Sequence, residues 1–146
     1  MASDATLHEL SGKCLCGVVT ITARFAGKRI EACHCTQCRA WGGGAYLATP
    51  MTDDFTIDGA EYVARFPSSA WAERGFCKRC GSNLFYHYLP AQKRSFLAGL
   101  FPGLDDGELH EEIFVDQKPD YYCFAGERDR LTRAEVIEKF GIELPD

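Results

Sequence analysis

The sequence predicts a mainly β, sandwich-like fold closed by one short C-terminal helix, and three observations predict it. Apolar and polar residues alternate from Val19 to Phe25, the period of a half-buried strand. Short β-prone runs then follow one another, with turn residues between most of them. No helical apolar period interrupts the series before the end of the chain. In the first strand Val19, Ile21, Ala23 and Phe25 share one face, with Thr20, Thr22 and Arg24 between them. A turn near Gly27 leads to residues 30–35, which read as the returning strand of a hairpin. Residues 55–59 form a short strand ending on an Asp-Gly turn signal, and further strands are expected at 62–66, 72–76, 83–89, 95–99 and 109–115. The helix is signalled by the capping box of Thr132 and Glu135, staple positions at Leu131 and Val136, an apolar face continued by Ile137 and Phe140, and Gly141 as its stop.

The 146 residues fit a single domain spanning 1–146, and a 46% hydrophobic, 25% charged composition excludes a largely disordered chain. Sixteen Lys and Arg against 21 Asp and Glu give a net charge of −5, the wrong balance for a protein that tracks nucleic-acid phosphates. The longest apolar stretch, residues 41–48, contains three glycines and falls far short of the roughly 18 residues that cross a bilayer. Residues 1–12 hold Asp4 and Glu9 but neither Lys nor Arg before position 13, so they do not read as a secretory signal. A cytoplasmic location follows as the expectation, and there cysteines serve metals or catalysis more often than disulfides.

Seven of the eight cysteines fall in tight clusters: Cys14-x-Cys16, Cys33-x-Cys35-x-x-Cys38 and Cys77-x-x-Cys80. Zinc takes about four ligands, and short pairs let one stretch of backbone offer two thiolates to one ion. Gly81 after the last pair tolerates the positive φ that such a turn needs. Counting ligands gives two Zn²⁺ per chain: a closed structural site of Cys14, Cys16, Cys77 and Cys80, and an open, catalytic one of Cys33, Cys35 and Cys38. Two structural metals, or one metal beside a redox-active thiol cluster, are the competing readings. In extended backbone residues i and i+2 share a face, which would converge Cys14 with Cys16 and Cys33 with Cys35 while turning His34 away as a packed or hydrogen-bonded histidine. Cys38 then folds back through a turn, and the isolated Cys123 reads as a small buried hydrophobe. Three thiolates around Zn²⁺ leave one net negative charge, which favours thiolate exchange over strong polarisation of water.

Directly after the triple cluster comes Arg39-Ala40-Trp41-Gly42-Gly43-Gly44-Ala45-Tyr46. Glycines such as Gly43 let backbone approach a ligand and present N–H groups, Trp41 and Tyr46 can wall a pocket, and Arg39 can pair with a carboxylate. A flexible loop around a core tryptophan is the equally weighted alternative. The run lacks the Gly-Lys-Ser/Thr ending of a phosphate loop, and the four histidines show no H-E-x-x-H spacing. Hydrolytic zinc chemistry is therefore disfavoured.

Three blocks carry a family resemblance: Gly12-Lys13-Cys14-Leu15-Cys16-Gly17, Cys33-His34-Cys35-Thr36-Gln37-Cys38-Arg39, and the run from Phe76 through Cys77 and Cys80 to Phe85. They resemble the glutathione-dependent formaldehyde-activating enzyme family, which includes centromere protein V. The stretches Glu112 to Asp116 and Lys118 to Tyr122 are similar to its bacterial members. The resemblance spans roughly residues 10–125 and implies a zinc-binding β-tent fold, a structural four-cysteine zinc, and a three-cysteine zinc at which glutathione as co-substrate meets formaldehyde. It implies a carbon–sulfur lyase acting on a small-molecule thiol and aldehyde, with S-(hydroxymethyl)glutathione as the adduct. The other reading of the same residues is a binding module that holds glutathione or another small thiol, or a zinc-dependent partner, without turnover.

Overall fold

The computed structural model describes residues 7–142, so part of the N-terminal segment read above lies outside the described residues. Among those residues the strands form three sheets. The first has the order β1-β2-β5, with β1 at Leu7–Lys13, β2 at Thr20–Ala26 and β5 at Phe55–Asp58, and is antiparallel throughout. The second has the order β11-β10-β3-β4, from β3 (Arg29–Cys33), β4 (Tyr46–Ala48), β10 (Glu108–Ile113) and β11 (Asp129–Leu131). There β3 and β11 run parallel to β10, and β4 runs antiparallel to β3. The third is the antiparallel meander β6-β7-β8-β9, from Val63–Ser69, Ala72–Cys77, Asn83–Tyr88 and Lys93–Phe96. Helices α1 (Thr36–Gly42) and α2 (Arg133–Phe140) complete the fold. No helix among the described residues is long and apolar enough to cross a membrane.

The alternation from Val19 to Phe25 does what its period demands: Val19, Ile21, Ala23 and Phe25 are all at most 1% exposed. Their core partners are Leu84, Phe85, Phe96 and Phe101. The rings meet edge-on, Phe25 on Phe101 at 5.6 Å and Phe85 on Phe96 at 6.1 Å, the geometry the ring quadrupoles favour. Burying each ring contributes about 1.5–3 kcal/mol. Gly75 in β7 is part of this packing, since a Cβ there would stand 2.3 Å from the Phe85 ring.

The expected hairpin of residues 19–25 with 30–35 does not form. Both edges of β2 are taken, by β1 on one side and β5 on the other. Gly27, at φ 83°, sends the chain into a different sheet, where β3 lies between β10 and β4. A bridge from Ala48 to Thr52 joins that sheet to the third, with Thr49 donating N–H to the Phe96 carbonyl at 2.9 Å and Arg94 donating to the Thr52 carbonyl at 2.9 Å. Cys33, at the end of β3, thereby shares a core cluster with Tyr46 and Ala48, against which Tyr86 of β8 packs.

Helix α2 carries both halves of the capping box: Glu135 donates N–H to Thr132 Oγ1 at 3.2 Å, and Thr132 donates N–H to Glu135 Oε1 at 2.8 Å. Val136 is buried, and Gly141 ends the helix at φ 62°. Phe140, expected on the apolar face, is 47% exposed.

Candidate functional site

Two turns of related build make the first sulfur cluster. After β1, Gly17 donates N–H to the Cys14 carbonyl at 3.0 Å with its own φ at 81°. After β7, Gly81 donates to the Cys77 carbonyl at 2.7 Å, also at φ 81°. Backbone N–H groups of Val19 and Cys80 point at Cys14 Sγ and Cys77 Sγ, both at 3.4 Å. Cys14 and Cys16 therefore converge through a turn rather than through strand alternation. Among these four sulfurs Cys14 and Cys16 lie 3.7 Å apart, and Cys16 and Cys77 lie 3.9 Å apart. A tetrahedral ion with metal–sulfur bonds of about 2.3 Å holds its sulfurs about 3.8 Å apart, so the donor set and spacing fit zinc. Hydrogen bonds from Ser82 pull the Cys80 thiol down to about 5, while, against a backbone hydrogen bond from Val18, loss of water and the neighbouring sulfurs push Cys16 up to about 11.

The second cluster is Cys33, Cys35 and Cys38, whose sulfurs all lie within 4.8 Å of one another. No further histidine, cysteine or carboxylate joins them among the described residues. Cys33 ends β3 opposite Tyr46 of β4. Cys35 is the N-cap of α1, its sulfur accepting the Cys38 N–H at 3.3 Å. One helical turn, not a loop, brings Cys38 back. Sulfur contacts with Cys33 and Cys38 pull the Cys35 thiol far down, and the same contacts push Cys33 up.

Arg74 of β7 closes the inner side of this cluster. It is 5% exposed, and its Nη1 lies 3.6 Å from Cys38 Sγ. Its guanidinium sits between the rings of Trp41 and Tyr86, at 4.9 and 5.2 Å. Burial works against its charge, but the Cys38 and Cys35 sulfurs outweigh that and hold it firmly protonated. The Arg74 Nε is buried without a hydrogen-bond partner. Trp41 packs edge-on against Tyr46 at 5.3 Å, and Asn83 donates to the Trp41 carbonyl at 3.1 Å. That bond ties this wall to the turn that carries Cys80.

The residues expected to contact a ligand are partly committed elsewhere. Gly43 is the C-cap of α1 at φ 89°, and its N–H donates to the Arg39 carbonyl at 2.7 Å. It is not a free donor, which corrects the expectation of an exposed N–H at Gly43. Open space does surround Gly42, Gly43 and Gly44, where an added Cβ would meet nothing within 4 Å. Arg39 donates from Nε to the His34 carbonyl at 3.3 Å. Cys123 is exposed, not buried.

His34 faces away from the sulfurs and is fully buried. Its Nε2 lies 2.8 Å from Glu112 Oε1 and its Nδ1 lies 2.7 Å from the Tyr122 hydroxyl. The nitrogen facing Glu112 carries a hydrogen, because a carboxylate only accepts. Glu112 also accepts from Arg128 Nη1 at 2.7 Å and Arg130 Nε at 3.0 Å. Burial alone would push its carboxyl up, but the bonds from His34 and Arg128 and the charge of Arg130 hold it below the usual value.

Residues 9–122 match the family described as glutathione-dependent formaldehyde-activating enzyme. The chain belongs to this family. An uncharacterised lyase of Schizosaccharomyces pombe is 33% identical over 133 residues, covering 90% of this chain and 97% of that protein. A Rhodobacter sphaeroides protein of known crystal structure superposes with a TM-score of 0.56 at 20% identity, covering 68% of this chain and 99% of that one, which is a likeness of fold.

Sequence reasoning missed Arg74 and Glu112. Arg74 gave little signal, since it stands in the mixed run Ala72-Glu73-Arg74-Gly75-Phe76 beside a second charge. Glu112 gave none, because Arg128 and Arg130 reach it only through the parallel pairing of β10 with β11. Helix α1 was also missed, since the only helix expected was the C-terminal one, although Gln37, Arg39 and Ala40 followed by a glycine stop carried its signal.

Proposed function

We propose that this chain is a zinc-dependent carbon–sulfur lyase-type enzyme that makes or breaks a thiol–aldehyde adduct such as S-(hydroxymethyl)glutathione at Cys33, Cys35 and Cys38. The observation that carries this reading is the three-sulfur set, with no fourth protein donor among the described residues. Zinc there would supply a position that takes the thiol as its thiolate at neutral pH. Cys14, Cys16, Cys77 and Cys80 would hold a second, structural zinc. In the forming direction the thiolate sulfur adds to the aldehyde carbon, the carbonyl pair moves to oxygen, and the proton lost from sulfur ends there. The step needs no oxidant.

The chain's own residues would position the partners. Trp41 and Tyr46 would wall the site and exclude water, the open space over Gly42 to Gly44 would admit the peptide backbone of glutathione, and Arg39 would face its carboxylate. Two-dimensional exchange NMR on glutathione and formaldehyde tests the proposal. The protein is expected to raise the exchange rate above the spontaneous one, Cys35→Ser to abolish the gain, and Cys123→Ser to keep it. Saturable glutathione binding without any rate gain would overturn the lyase reading and leave a thiol-binding module.

A further inference from the structure

We propose that Arg74 sets the ligand selectivity of the three-sulfur site, making it take an anionic sulfur in preference to a neutral nitrogen ligand. This rests on Cys33, Cys35 and Cys38 being a metal site. A buried cation is tolerated only where an opposite charge meets it. Arg74 is 5% exposed, no carboxylate pairs with it among the described residues, and its Nη1 lies 3.6 Å from Cys38 Sγ. The faces of Trp41 and Tyr86 add attraction, but ring quadrupoles offset only part of the loss of water. The sulfur cluster is therefore its counter-ion.

Charge counting gives the consequence. Three thiolates with Zn²⁺ carry one net negative charge, which Arg74 cancels. An incoming thiolate then meets a neutral site rather than a repelling one, and its added charge is held by the guanidinium. A neutral ligand gains nothing from Arg74. With an effective dielectric constant of about 20 and a separation of about 6 Å, the guanidinium is expected to strengthen thiolate binding about 100-fold. Arg74 does not touch the reacting atoms in this scheme; it acts through the charge of Cys38 and its neighbours, so it is a positioning residue.

Cobalt(II)-substituted protein tests this through its visible spectrum, which reports the ligand set without any turnover. At one fixed pH it is titrated with 2-mercaptoethanol and, separately, with imidazole. Wild type is expected to favour 2-mercaptoethanol, Arg74→Met to lose about 100-fold of that affinity with imidazole binding nearly unchanged, and Arg74→Lys to recover most of it. Equal losses for both ligands, or no loss for the thiol, would overturn the proposal. If Arg74→Met fails to hold cobalt, wild type and Arg74→Lys decide: a preference for the thiol below tenfold in both overturns it. The probes are neither glutathione nor formaldehyde, so a thiol preference without lyase activity would sink only the proposed reaction. One cobalt per chain in place of two would remove the metal site itself.

Discussion

Replacing Glu112 with alanine removes the acceptor that His34, Arg128 and Arg130 share. Hydrogen bonds to charged groups are worth about 1.5–3 kcal/mol each, but the three losses do not add. Arg128 keeps the carbonyls of Leu109 and Ala125, and Arg130 keeps those of Phe124 and Gly126. Arg130, 34% exposed at its side chain, can also turn to water, whereas His34 cannot. The expected loss is that of a broken buried pair, about 3–5 kcal/mol, or roughly 10 °C in Tm for a chain of this size. Urea unfolding of the metal-loaded protein measures it, and a loss under about 1 kcal/mol would refute the reasoning.

The pH dependence has a definite sign. Glu112 sits below its ordinary value of 4.5 in the folded protein, so its stabilisation is complete above that value and is lost as pH falls through the lower, folded one. Thiolate protonation is common to wild type and Glu112→Gln and cancels in their difference. That difference should shrink below pH 4.5; a difference that persists unchanged in acid would show that the carboxylate charge is not its source.

Gly75→Ala should cost about 1–3 kcal/mol, because the Phe85 ring that its methyl would strike is fully buried; a thermal melt matching wild type would contradict this. Strong chelators should unfold the protein cooperatively, seen by circular dichroism, since the four-sulfur cluster ties residues 14–16 to 77–80 at the edge of the main core. Cys123→Ser should change stability by less than about 0.5 kcal/mol in the same unfolding assay, as befits an exposed residue with no packing role.

What the sequence made legible follows from how local each signal is. Ligand counting grouped the seven clustered cysteines as the fold does, because C-x-C and C-x-x-C spacings encode their turns within a few residues. The strand alternation of Val19 to Phe25 and the capping box at Thr132 were readable for the same reason. The partner of β3 was not, because its parallel pairing with β10 joins Cys33 to Ile113 across a long crossover that leaves no local mark. The Arg74 contact with Cys38 is hidden likewise: it depends on how the third sheet faces the second, and a period-two pattern gives the face of a strand but not its neighbour.

The four-sulfur staple also sets a timetable for biosynthesis. Cys16 and Cys77 stand 61 residues apart in the chain, so at translation speeds of roughly 5–20 residues per second the first two thiols wait about 3–12 s for their partners. During that interval a nascent chain offers half a metal site to whatever oxidant or competing ion is near. With the proposed zinc in that cluster, output of finished protein should track free zinc supply, not message abundance alone.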